Sequence, residues 1–330
     1  MSTTRALLVS AALLAACGGE ASEAAAPSAS AGGEAEAAPA PRPTGPPESY
    51  VAPDHRVVVR IDMEAVRGSA LATDIGSLVR SYPMWRTLLG ASGIDPVRDF
   101  DAVLVAAPAV IADQSVIVIR HHLGNARIRE AVLAMSVDRG ARPEWREVEG
   151  FSVVDWPAET EIPRVVVLTA ENELVVTTPD GLDRVVAVAR DHTARRETPS
   201  EPVTIEPALQ LEDGLIANIV ADEVGESGQR MRYPPEAFQV TVRQDGEQEG
   251  RVVLTAIGTY ADDAAADEAR RYYTGQRDFY AGQMMVRMVA LDRPLREAVI
   301  AGEGNVVDVR ASFTEEEIQR ALAIVALGQM

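Results

Sequence analysis

From Gly18 to Glu48 the chain has no large apolar side chain, only Ala, Ser, Glu, Pro and Gly with an occasional Arg or Thr. Such a segment cannot bury enough surface to offset the entropy of ordering it. It reads as a disordered tether, locally extended where prolines crowd between Pro39 and Pro47. A packed core can therefore form only from the roughly 280 residues that follow, which hold ample Val, Ile, Leu and Ala for one large domain or two ordinary ones.

Ahead of the tether stands one positive charge, Arg5, then an apolar run from Ala6 to Ala16. A membrane-spanning helix needs about 20 apolar residues, and this run is roughly half that length, so the layout is that of an export signal. The run ends Leu14-Ala15-Ala16-Cys17-Gly18, and Cys17 is the single cysteine of the chain. Exported proteins ordinarily use cysteine in disulfide pairs, so a lone cysteine here favours modification over a buried free thiol. These residues resemble the lipobox of bacterial lipoprotein precursors. The resemblance implies cleavage before Cys17, diacylglycerol on its sulfur and acylation of the new amino terminus. Two or three acyl chains, each CH2 contributing about 0.8 kcal/mol, anchor a protein durably. Gly18 and Gly19 after the cysteine, in place of Asp, are similar to the sorting signal for the outer membrane. The expected address is the envelope, lipid-anchored in the outer membrane and facing the periplasm.

Composition removes several function classes. The formal net charge is -19, and no Lys occurs among the 31 basic residues, all Arg. A nucleic-acid partner is not expected, because a phosphate backbone demands a positive surface. Without Lys there is no Walker A lysine, Schiff-base lysine or Ser-Lys dyad.

Along the folded part, Val57 to Ile61 predicts a strand, and Ser69 to Leu89 a helical region that restarts at Pro83 and ends at Gly93. Asp95-Pro96 caps one further turn before a strand over Ala102 to Ala107. Ser115 to Arg120 is a continuous apolar strand. After Gly124 the residues Ile128, Ala131, Val132 and Met135 recur at helical spacing. Two hairpins follow, Trp145–Val148 with Phe151–Trp156 through Glu149-Gly150, and Val165–Leu168 with Leu174–Thr177 through Glu171-Asn172. Thr178-Pro179 then opens a helix carrying Leu182, Val185, Val186 and Val188. The polar, proline-bearing stretch from Asp191 to Pro207 reads as a boundary. Beyond it come a strand at Leu215–Val220, a hairpin of Phe238–Val242 with Arg251–Ile257, a long helix from Asp262 past Tyr280, and a strand at Val306–Val309. Thr314 to Glu317 forms a capping box for a last helix through Ile318, Leu322 and Val325.

The order strand, helix, strand, strand, helix on both sides predicts an α+β fold of two similar halves, each a mainly antiparallel sheet covered by helices. The division is 1–16 signal peptide, 17–50 lipidated cysteine and tether, 51–192 first half and 193–330 second half. The stretch Gly93-Ile94-Asp95-Pro96-Val97-Arg98-Asp99-Phe100-Asp101-Ala102-Val103 is similar to a family of exported bacterial proteins built from two α+β halves. That resemblance implies a fold and no activity.

Candidate chemistry is sparse. His121 and His122 are neighbours on a strand and point to opposite faces, so they cannot share a metal, and no third ligand stands at metal-site spacing. His55 and His192 lie in polar segments and read as solvated. Gly225-Glu226-Ser227-Gly228 places its glycine one residue early for a nucleophile elbow. Gly302-Glu303-Gly304 lacks the third glycine of a dinucleotide loop and leads into a strand. Asp99 with Asp101, Asp262-Asp263 and Glu315 to Glu317 do not follow the calcium-loop pattern, and two of these groups sit where helices begin. No cofactor, metal or catalytic residue is expected.

The helix from Asp262 concentrates Tyr272, Tyr273, Phe279, Tyr280, Met284, Met285 and Met288 in a chain that is 5% aromatic. Most belong to a core by this spacing, yet Tyr and Met also suit a partner surface or a lipid-contacting groove. Tyr272, Tyr273, Phe279, Tyr280 and Met284 are the candidate contact residues. Three functions stay open, in this order: a non-catalytic envelope lipoprotein binding a protein or surface polymer, a carrier of an apolar ligand such as a lipid, and an envelope hydrolase with a dispersed site.

Overall fold

The structure is a computed structural model that describes residues 45–69, 92–109, 115–138, 142–156, 163–197, 215–222, 232–246 and 250–320, together with residues 72 and 248. The signal segment, Cys17, most of the tether, most of the helical region expected over Ser69 to Leu89, the Gly225 to Gly228 stretch, and Leu322 with Val325 lie outside these residues.

Among the described residues twelve strands form one sheet: β1 (Val57–Asp62), β2 (Phe100–Ala107), β3 (Val116–His121), β4 (Arg146–Val148), β5 (Phe151–Trp156), β6 (Arg164–Ala170), β7 (Glu173–Thr177), β8 (Leu215–Ala221), β9 (Ala237–Gln244), β10 (Arg251–Thr259), β11 (Val299–Ala301) and β12 (Val306–Thr314). Their order across the sheet is β11-β12-β10-β9-β8-β1-β2-β3-β7-β6-β5-β4, and every neighbouring pair is antiparallel. The α+β class with an antiparallel sheet is as the patterning predicts. The expectation of a separate sheet in each half is corrected. β1 pairs with β2 on one side and with β8 on the other, with Val57 opposite Ala221 and Ile61 opposite Ala217. A β-branched strand whose two edges both carry hydrogen-bonding groups can join the halves as readily as close one.

Among the described residues the helices are α1 (Met63–Arg67), α2 (Pro96–Asp99), α3 (Asn125–Asp138), α4 (Leu182–Glu197), α5 (Asp263–Gly282), α6 (Met284–Met288) and α7 (Asp292–Glu297), with residues 315–320 also helical. α4 continues through Asp191 to Glu197, so the first residues of the expected boundary are helical instead. Side-chain alternation divides the core. On one face Ile61, Val103, Ile117, Ile119 and Val176 pack with Met63 and Val66 of α1 and with Ile128, Val132 and Met135 of α3. On the other face Val58, Leu104, Val118 and Val175 pack with Val185 of α4 and with Tyr50.

Local chemistry explains the joints. Glu149 and Gly150 both have positive φ, 48° and 87°, as a two-residue hairpin turn with the sheet's twist requires. The Asp95 carboxylate accepts from the Val97 and Arg98 N–H groups to cap α2. At the last helix the Thr314 N–H donates to Glu317 and the Glu317 N–H donates back to the Thr314 hydroxyl, which completes the predicted capping box.

The tether ends earlier than its composition suggests. Pro47–Tyr50 is a short 3-10 turn whose residues Pro47, Glu48 and Tyr50 are buried, Tyr50 within the second core. Composition alone misses this because one aromatic residue, Tyr50, anchors an otherwise polar segment.

Candidate binding surface

α5 starts where the Asp262 carboxylate accepts from the Ala265 N–H. Its small residues Ala266 and Ala269 are fully buried against Tyr260 and Val307, which lets the helix approach the sheet closely. Tyr273 packs in this cluster and donates its hydroxyl to the Tyr233 carbonyl at 2.9 Å. Burial, followed by the neighbouring Tyr260, pushes the Tyr273 phenol well above its ordinary range. Tyr272 lies between Tyr233 and Tyr273, with ring centroids 5.2 and 5.5 Å away. Tyr273 is thus held by internal packing, and both tyrosines are half-buried.

The other end of the helix behaves differently. Gln283 takes an extended backbone and stops α5, and α6 follows at once. Phe279 is 58% exposed, Met284 77%, Met285 78% and Met288 80%, while Tyr280 is half-buried with its ring 5.3 Å from that of Phe279. The expectation that most of this aromatic and Met set is core is therefore corrected for Phe279 and the methionines. Helical spacing continues across Gln283 in the sequence, but the break there turns the methionines outward. Four large apolar side chains within ten residues together expose on the order of 500 Å² of surface. Val299, on the adjacent edge strand β11, is also 57% exposed and was not distinguishable in sequence from a core strand residue.

A second concentration of functional groups lies on the opposite face and went unread in the sequence. The Glu173 carboxylate, 1% exposed, accepts from Arg120 Nε at 3.1 Å, the Tyr50 hydroxyl at 3.0 Å and the Thr169 hydroxyl at 3.0 Å. Arg60 pairs with buried Glu48, and Arg120 also donates to the Gly45 carbonyl. Burial, then the Glu173 charge, pushes the Tyr50 phenol above its usual range. The available signal was an arginine within each of two β-branched strands, Arg60 in β1 and Arg120 in β3.

His192 belongs to this group and is buried, not solvated as its polar context predicts. Its Nε2 stands 2.7 Å from Ser49 Oγ, and its ring meets Tyr50 edge-on at 5.3 Å. Burial lowers its proton affinity against the opposing pull of Glu173. The Ser49–His192 spacing is that of a nucleophile and base. Ser49, however, donates its hydroxyl to the Pro46 carbonyl, and Gly45 lies so close to the ring that a Cβ there would collide with it. The pair therefore works as a contact holding residues 45–50 against α4. His55 is half-buried, and its Nδ1 accepts from the Ala52 N–H at 3.0 Å.

The remaining sequence candidates resolve individually. His121 ends β3 and is fully buried, while His122 is exposed with Nδ1 3.5 Å from Asp101. They do not converge, and no group of three or more His, Cys, Asp or Glu residues suited to a metal occurs among the described residues. Asp99 is held by Arg98 and the Asp95 N–H, and Glu317 by Arg293. Gly302 and Gly304 have positive φ in a turn that leads into β12. Among the described residues no helix is long and apolar enough to cross a membrane.

No protein-family model matches the chain, and neither does any curated protein. Among solved structures, crystal form I of TP0453 aligns with 86% of this chain and 97% of its own at 12% identity and a TM-score of 0.47. Crystal form IV of TP0453 aligns with 86% and 96% at 10% identity and the same TM-score.

Proposed function

We propose that this protein is a lipid-anchored envelope protein, attached through Cys17, that acts by binding a protein or surface polymer rather than by catalysis. The observation that carries this reading is the exposed apolar surface of Phe279, Met284, Met285 and Met288. Exposing methionines to water gains nothing for folding, and their flexible, polarisable side chains suit a contact that adapts to its partner. The export and lipobox residues supply the address, and the tether supplies reach. The outer membrane, facing the periplasm, is the membrane that Gly18 and Gly19 favour.

Two measurements test the reading. Metabolic labelling with palmitate should mark the wild-type chain and leave Cys17→Ser unlabelled; equal labelling would refute anchoring at Cys17. Cross-linking of the full lipoprotein in its native membranes, followed by mass spectrometry, should recover a protein or polymer that is lost with a Met284→Ser, Met285→Ser, Met288→Ser triple variant. Undiminished recovery from the triple variant would exclude this surface. Bound lipid alone would favour a carrier.

A further inference from the structure

The segment between the tether and β1 is fastened to the sheet by side chains from four different elements. Arg120 of β3 donates to the Gly45 carbonyl, Arg60 of β1 pairs with Glu48, Glu173 of β7 accepts from Tyr50, and Arg184 of α4 donates to the Val51 carbonyl. Two further links run through imidazoles. His192 of α4 meets Ser49 at 2.7 Å, and His55 Nδ1 accepts from the Ala52 N–H at 3.0 Å. Backbone bonds within the segment are few, Ser49 N–H to Pro46 and Val51 N–H to Glu48 among them. A strip held mainly by side chains can leave the sheet without unravelling a strand.

We propose that residues 45–55 form a releasable clasp at the root of the tether, opened by protonation of His192 and His55. Protonating His55 removes the lone pair that accepts the Ala52 N–H. Protonating His192 places a charge on a ring that is buried between the turn and α4. Among the described residues, the groups facing His192 include Ser49 and Tyr50 of the turn, Arg120 of β3, Glu173 of β7, and Asp191 and Arg195 of its own helix. Arg120 opposes the new charge. Glu173 favours it, but its carboxylate is already occupied by Arg120, Tyr50 and Thr169. Asp191 is paired to Arg195 at 2.6 Å. Around His55 stand Asp54, which favours protonation, and Arg184, which opposes it. Burial lowers the proton affinity of both rings, so the closed clasp is favoured above the ordinary histidine range and weakens as the pH falls below it. Opening adds eleven residues to the tether, about 35 Å of reach at full extension. That gain in reach rests on anchoring at Cys17, whereas the clasp itself does not.

The test is amide hydrogen exchange on the full-length chain at about pH 7.5 and about pH 5, corrected for intrinsic exchange. Protection at Ser49, Val51 and Ala52 should fall about tenfold, while β2 and β7 keep theirs. A His55→Gln, His192→Gln double variant should show no such fall. Proton-NMR titration of the wild-type histidines gives a measure independent of any variant, and the midpoints of His55 and His192 should lie at the low-pH end of the interval over which protection is lost. Equal protection at both pH values, a fall that persists in the double variant, parallel loss in β2 and β7, or histidine midpoints above that interval would each overturn the proposal.

Discussion

Replacing Glu173 by Gln isolates the buried ionic group on the sheet. The change keeps the side chain's shape but removes the charge that faces Arg120, and it weakens the hydrogen bonds accepted from Tyr50 and Thr169. Breaking one side of a buried ion pair costs about 3–5 kcal/mol, because the partner is left charged and poorly solvated. The Arg120 side chain is 23% exposed and can recover some hydration, so the lower end applies, about 3 kcal/mol. For a chain of this size each kcal/mol moves the midpoint by roughly 2–4 °C, which predicts a loss on the order of 6–12 °C. Urea unfolding at neutral pH, monitored by tryptophan fluorescence, gives the free energy directly. An Arg120→Met, Glu173→Gln double variant should be less destabilised than the sum of the two single changes, since it leaves no orphaned charge. A loss below about 1 kcal/mol for Glu173→Gln, or strict additivity, would refute the role assigned to this pair.

Three further outcomes follow from the second half of the chain. Asp262→Ala removes the cap of α5 and should cost about 1 kcal/mol in urea unfolding. Burial raises the Glu317 carboxyl, but the Arg293 guanidinium and the Thr314 N–H outweigh it and hold it below the ordinary carboxylate value. Its stabilisation is therefore present above about pH 4.5 and lost as the pH falls through the lower folded value, so Glu317→Gln should destabilise at pH 7 and converge with wild type in acid. The Met284→Ser, Met285→Ser, Met288→Ser variant should unfold within about 0.5 kcal/mol of wild type, because exposed side chains contribute little to the core.

Local signals made most elements legible. β-branched runs located β1, β3 and β8, the Glu149-Gly150 dipeptide located the first hairpin, and Thr314 with Glu317 located a helix start. Each is decided within a few residues, by backbone preference or by a cap. Pairing between β1 and β8 is not decided locally, since the residues that meet, Val57 and Ala221, are separated by about half the chain. Burial of His192 was equally hidden. Its helix neighbours are polar, and only the arrival of Ser49 and Tyr50 from far upstream covers the ring. The methionines after Gln283 misled for the reverse reason, a helical period carried past a backbone break.

The strand register also relates the two functional regions. Following cross-strand partners from Val309 of β12 through Ala256, Val240 and Ile219 to Val59 keeps to one face, the face that α1, α3 and α5 cover. Arg60, adjacent to Val59, points to the other face and holds Glu48 there. The tether's root thus lies on the face opposite α5, the helix that leads into the methionine surface, with β12 four strands from β1, about 20 Å at ordinary strand spacing. A chain leaving one face does not obstruct the other, so under anchoring at Cys17 the 28 residues from Cys17 to Thr44 set how far the methionine surface stands from the lipid. Such a chain has a mean span of roughly 30 Å, falling to roughly 16 Å if residues 20–39 are deleted. The deletion should leave cross-linking intact for a partner in the same membrane and abolish it for one held across the envelope. Loss of cross-linking on deletion, restored by a Gly/Ser segment of equal length, would show that reach is what the tether contributes. Failure of that replacement would show that its own residues make the contact.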